Sequence, residues 1–126
     1  NAGWALGINA TGTWRLIMQN TATTNVLEVH STAALSTGVS KLLISTIDGS
    51  GAASGLVLYE DGAPVGMTTV TNNLISAITN TVSARIGTNS AGTNLLNASV
   101  LAFVAVFDTA LTVTEVRRFA FLAGAL

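Results

Sequence analysis

Hydrophobic and polar positions alternate over the first thirty residues. Trp4, Leu6 and Ile8 are separated by Ala5 and Gly7, which predicts a half-buried strand over 4–8. Asn9-Ala-Thr-Gly12 reads as a turn. Residues 13–19 alternate again, with Trp14, Leu16 and Met18 on one face and Arg15, Ile17 and Gln19 on the other. The pair predicts a β-hairpin with both tryptophans on the core side. After a second turn at 20–24, a third strand is expected over 25–30. Its Leu27 and Val29 oppose Val26, Glu28 and His30. Residues 31–38 read as a loop.

Residues 41–47 are apolar on both faces and suit an inner strand. Asp48-Gly-Ser-Gly51 is a turn signal, and 55–60 is the next strand, closed by Asp61-Gly62. Asp-Gly supplies the positive φ that a tight hairpin needs. Residues 63–80 show no clear period and read as a Thr- and Asn-rich crossing. Strands are expected at 81–87 and at 98–107, joined by a polar loop over 88–97. The last strand is the most hydrophobic. Thr112-Val-Thr-Glu115 fits a capping box. The helix it opens is expected to run to about Ala120, with Val116 and Phe119 on one side. Arg117 and Arg118 would sit near its C-terminus, where cations are favoured. Seven strands, one short C-terminal helix, no βαβ unit and no fixed repeat predict an all-β antiparallel sandwich in a single domain.

Composition narrows the chemistry. The chain has 126 residues, 49% of them hydrophobic, and its mean hydropathy is +0.58. Charged residues make up 9%, against about 25% in an ordinary soluble domain. Ser, Thr and Asn keep the surface wet instead, with 10, 18 and 10 copies. That bias suits secreted, cell-surface and virion proteins. A net charge of −1 leaves no basic footprint for nucleic acid. The absence of cysteine excludes disulfide scaffolds and thiolate metal sites, and a single His excludes His-rich ones. No apolar run reaches the roughly 20 residues that span a bilayer, and no signal peptide is visible at 1–10. Asn9-Ala-Thr11 and Asn97-Ala-Ser99 match the glycosylation sequon, a match expected by chance in a chain this rich in Asn and Thr.

Five stretches, in order, resemble the concanavalin A-like, laminin G-like jelly roll. They are Leu42-Leu-Ile-Ser-Thr-Ile-Asp-Gly-Ser-Gly51, Gly55-Leu-Val-Leu-Tyr-Glu-Asp-Gly62, Ala84-Arg-Ile-Gly87, the apolar strand at 98–107, and Phe107-Asp-Thr-Ala-Leu-Thr-Val-Thr-Glu-Val116. The likeness covers about 39–119, and 4–19 resembles an earlier hairpin of the family more loosely. The resemblance implies more strands than the chain supplies. N-terminal strands are therefore expected elsewhere in a longer polypeptide or from a neighbouring chain. Strand 98–107 carries Leu101-Ala-Phe-Val104 where the family usually has a polar or acidic residue. That face is expected to be buried against another subunit, with Leu101, Phe103, Phe119 and Phe121 as interface candidates.

Glycoside hydrolases on this jelly roll place carboxylates at alternate positions of one strand. Glu60 and Asp61 are adjacent, so on a strand they would face opposite ways. The other acids are isolated in sequence. His30 has no Ser or Cys partner in a recognisable motif, and no catalytic residue is assigned. Sugar binding is the stronger expectation. The non-core face of the first hairpin and third strand gathers Arg15, Gln19, Glu28 and His30, which form either a ligand patch or an ordinary solvated sheet face. The resemblance also implies calcium as the candidate cofactor, held by rim oxygens. The rim candidates are Asp48, Asp61, Asn89 and Asn94, of which Asp48 and Asp61 read equally well as turn formers.

The resemblance implies a non-enzymatic, lectin-like module on the surface of a virion, such as a phage tail, fibre or head decoration. Its expected role is adhesion or weak glycan binding. The alternative is a structural decoration module packing on other virion subunits. Expected partners are other surface subunits and host glycans, in an oligomer or larger assembly, with no nucleic acid and no membrane insertion.

Overall fold

The computed structural model describes residues 3–21, 24–75, 78, 84–86 and 101–125. The alternation of the first thirty residues becomes a meander of β1 (Gly3–Ile8), β2 (Trp14–Thr21) and β3 (Asn25–Ser31). The β1–β2 turn is held by Asn9, whose Oδ1 accepts from the backbone N–H of Thr11 at 3.0 Å and of Thr13 at 3.2 Å. β4 (Leu43–Ile47), a short 3-10 turn at Ala53–Gly55, β5 (Leu56–Glu60), β6 (Ala63–Pro64) and β7 (Met67–Asn72) follow.

Two antiparallel sheets result among the described residues, ordered β1-β2-β3-β7 and β4-β5-β6. Trp14, Leu16, Leu27 and Val29 of the first sheet pack on Leu56 and Leu58 of the second, forming one buried core. The two-residue loop Asp61-Gly62 joins β5 to β6 with φ 50° and 80°. Both values are positive, as a type I′ turn requires. The chain then returns to the first sheet, where Thr32 donates its N–H to the carbonyl of Gly66 at 2.9 Å.

β6 and β7 lie in the stretch that the sequence pattern leaves as a crossing. β7 reads MTTVTN, and its Thr68, Thr69 and Val70 are exposed. As the edge strand beside β3 it covers no continuous core, so it shows no alternation. A bulge between Glu28 and Val29 of the pairing also breaks its period. Thr has high β propensity, which was the only local signal.

The expected strand at 81–87 falls mostly outside the described residues, and 84–86 form none. The loop 88–97 lies outside them as well. For 98–107 the described part, 101–107, has no strand pairing. Leu101, Phe103, Val104, Val106 and Phe107 are all exposed. Instead of standing in a sheet, Phe103 and Phe107 each meet Phe119 with ring centroids 5.8 Å apart.

Phe119 belongs to α1 (Val113–Leu122). Its capping box is present: Thr112 Oγ1 accepts from the N–H of Glu115, and Glu115 Oε2 accepts from the N–H of Thr112 at 2.7 Å. Val116 and Ala120 are buried. The helix runs one half-turn beyond Ala120, so Arg117 and Arg118 sit in its middle and its last turn holds no basic residue.

Candidate functional site

The outer face of the four-stranded sheet carries a linked set of polar side chains. Arg15 on β2 pairs across with His30 on β3, Ile17 pairs with Glu28, and Gly7 on β1 lies opposite Arg15. Residues paired across antiparallel strands share a face. Gly7, Arg15 and His30 therefore form one row, and Ala5, Ile17 and Glu28 the next.

Glu28 is the hub. Its Oε1 accepts from Arg15 Nη1 at 3.0 Å and from His30 Nε2 at 2.8 Å. Burial alone would push its carboxyl up. The hydrogen bonds from His30 and Arg15 and the Arg15 charge outweigh that, and hold it below the usual glutamate range. His30 Nδ1 lies 3.3 Å from Asn9 Nδ2. The Asn9 Oδ1 is fixed by two backbone N–H donors, so its amide NH₂ must point at the ring. The neutral His30 ring thus accepts at Nδ1 and donates from Nε2. Both nitrogens are engaged, which leaves neither to act as a free general base.

Arg15, Glu28 and His30 are brought together as the sequence pattern predicts. Gln19 shares their face but stands four residues along β2, roughly 13 Å from Arg15, paired with Val26. Asn9 was legible only as a turn residue. Its Asx turn with Thr11 was the available signal, whereas its partnership with His30 needs the hairpin to close.

The expected rim cation site does not form from the described acids. Asp48 follows β4 at one end of the β4–β5 pair, and Asp61 follows β5 at the other. They are separated by roughly 20 Å of strand. Each also has its own structural work. Asp48 Oδ1 accepts from the Ser50 N–H at 2.8 Å, and Ser50 lowers its pKa. Asp61 accepts from the Leu42 N–H at 3.0 Å and from Lys41 Nζ at 2.7 Å. These bonds outweigh burial and lower its pKa. Lys41 bridges to Glu60 as well, at 2.9 Å. Among the described residues no three of His, Cys, Asp and Glu cluster as a metal site would require. Asn89 and Asn94 lie outside the described residues.

Two apolar features compete for attention. Trp14 is fully buried, but Trp4 is 57% exposed although its register with Met18 puts it on the inner face. The core reaches β2 and does not cover edge strand β1, so Leu6 and Ile8 are exposed beside it. The expectation of two core tryptophans therefore holds for Trp14 only. Next to Met18 lies an open cleft of about 580 Å³, lined by Ile47, Gly51, Leu74 and Ile75. Of the expected interface residues, Leu101, Phe103 and Phe121 are exposed, and Phe103 also packs on Phe119. Tyr59 is buried, as its strand position implies.

A two-sheet antiparallel sandwich with a polar outer face is an architecture of sugar-binding domains. Residues 1–117 match the laminin G-like family model described as the concanavalin A-like lectin/glucanases superfamily, and the chain belongs to that family. The match extends to the first residue, well beyond the 39–119 that the motifs alone support. No curated protein and no solved structure matches the chain.

Proposed function

We propose that this domain is a non-enzymatic, lectin-like display module that binds glycan on the outer face of its four-stranded sheet. The observation that carries the reading is the Arg15–Glu28–His30 array. It offers the Arg15 cation, the His30 donor and the Glu28 acceptor on one sheet face, Arg15 exposed and the other two partly buried, in a domain whose fold is of a carbohydrate-binding type. The non-enzymatic part rests on the state of the acids. Glu28 is tied to Arg15 and His30, Glu60 and Asp61 share Lys41, Asp48 closes a loop, and Glu115 caps a helix. The sixth acid, Asp108, is exposed, and one carboxyl does not make the pair that glycoside hydrolysis uses. The sparsely charged, Thr- and Asn-rich composition suits the outside of a virion or cell, a phage tail, fibre or head decoration above all.

A glycan array probed with calcium and again with a chelator tests the reading. Binding that survives the chelator and is lost in Arg15→Ala supports it. No binding by the folded protein under either condition overturns it.

A second reading, an assembly module, draws on the apolar strip Trp4, Leu6 and Ile8 and on the exposed stretch 101–107. Adhesion and assembly differ in oligomeric state. A stable monomer that binds glycan favours the first, and an obligate oligomer that binds none favours the second.

A further inference from the structure

The array has a charge balance that narrows its ligand. Arg15 carries one positive charge and Glu28 one negative charge. With the Asn9 amide NH₂ aimed at His30 Nδ1, that nitrogen carries no proton, so the ring adds no charge. An anionic ligand would meet no net positive field here, and would have to approach the Glu28 carboxylate. A neutral ligand bearing hydroxyls meets a matched set. Arg15 is 42% exposed at its side chain and engages Glu28 through Nη1, and a guanidinium has five N–H donors. Glu28 takes both Arg15 and His30 on Oε1, so Oε2 points its lone pairs elsewhere.

The surroundings offer room and a floor. Gly7 stands opposite Arg15 in the same row, and a Cβ built there would meet nothing within 4 Å. Ala5 and Ile17 in the next row supply an apolar surface of modest height. A pyranose has this same split, with hydroxyls at its edge and C–H groups on its face.

We infer that the Arg15–Glu28 pair recognises a neutral sugar through two adjacent hydroxyls, over the open shelf that Gly7 leaves beside Arg15. One hydroxyl donates to Glu28 Oε2 while its neighbour's oxygen accepts from the guanidinium. His30 and Asn9 are positioning residues that hold Glu28 and do not touch the sugar. No cation is needed at this site. The inference rests on the glycan-binding reading above and deepens it.

The test is an NMR titration of amide shifts with methyl α-mannoside and methyl β-galactoside, against galacturonic acid, each with a chelator present. The expected result is a shift of Gly7, Ile17 and Glu28 by a neutral glycoside, with the acid weaker. Gly7→Val should fill the shelf without a clash and weaken binding at least about tenfold, while the rest of the spectrum stays in place. Glu28→Gln should weaken it by a similar or larger factor, because a charged acceptor is lost. Preferred binding of galacturonic acid overturns the inference. So does binding that maps to Trp4 or the Met18 cleft, or that Gly7→Val leaves intact. Preferred galacturonic acid, or binding at this face that Gly7→Val leaves intact, leaves the outer-face reading standing, whereas binding at Trp4 or the Met18 cleft overturns the outer-face site as well. If neither these probes nor a glycan array binds, the broader reading falls together with the inference.

Discussion

His30 donates from Nε2 to Oε1 of Glu28 at 2.8 Å, on the oxygen that also receives Arg15. The pair joins two alternate positions of one strand, and its orientation is set from a different strand's turn by Asn9. Because these bonds lower the Glu28 pKa below 4.5 in the folded chain, the carboxylate favours the folded state above pH 4.5. The contribution fades as pH falls through the lowered folded-state value. Thermal unfolding across this acid range should show a smaller loss of stability for Glu28→Gln than for the parent. Equal slopes would mean that Glu28 is not tied in this way.

The two tryptophans should behave oppositely. Trp14 sits in the core with no exposed surface, so Trp14→Ala should cost about 3–5 kcal/mol in urea unfolding. Trp4, more than half exposed, should cost about 1 kcal/mol or less. The single-tryptophan variants Trp4→Phe and Trp14→Phe should leave blue-shifted, shielded emission and red-shifted, quencher-accessible emission respectively.

Asp61 and Gly62 make the tight turn between β5 and β6, with Gly62 at φ 80°. Gly62→Ala should destabilise by about 1 kcal/mol, because a Cβ is strained there. Asp61→Asn tolerates the same backbone and loses mainly an exposed ion pair with Lys41. Its effect on the urea midpoint should be the smaller of the two.

Gly55 is fixed by close approach. A Cβ there would collide with the Asp48 carboxylate and with Ser50 Oγ. Gly55→Ala should therefore cost about 1–3 kcal/mol. The double variant with Asp48→Ala should recover part of that loss, since the colliding carboxylate is gone. A fully additive double-mutant cycle would contradict the contact.

Asp48 and Asp61 stand at opposite ends of one strand pair and each is bonded locally. Calcium and a chelator should give the same melting temperature. A rise of several degrees with calcium would place a site elsewhere, with Asn89 and Asn94 as the next residues to substitute.

The five strands between Gly3 and Glu60 and the capped helix were legible because each carries its own signal. Alternation over Trp14–Met18, Asp-Gly at 61–62 and Thr112 with Glu115 need no distant partner. β7 was not legible. An edge strand of threonines has no core to impose a period on it, and its place beside β3 depends on the chain crossing back at Gly66. The segment at 101–107 shows the reverse error. Continuous hydrophobicity suggests an inner strand, yet a strand exists only where another backbone pairs with it.

The candidate site divides the same way. Arg15, Glu28 and His30 were placed on one face by counting in twos, since side-chain direction in a strand is a local property. The bonds among them depend on the β2–β3 register, which a one-residue slip would invert. Asn9 joined them only once the hairpin closed. Sequence by itself thus determined the sandwich class, the hairpin turns, the helix cap and the family. Tertiary structure decided that Trp4 lies beyond the reach of the core, that Asp48 and Asp61 are far apart, and that His30 is held between Asn9 and Glu28. Periodicity and turn chemistry act over a few residues, whereas burial, separation and side-chain partnership are set by strands that meet from distant parts of the chain.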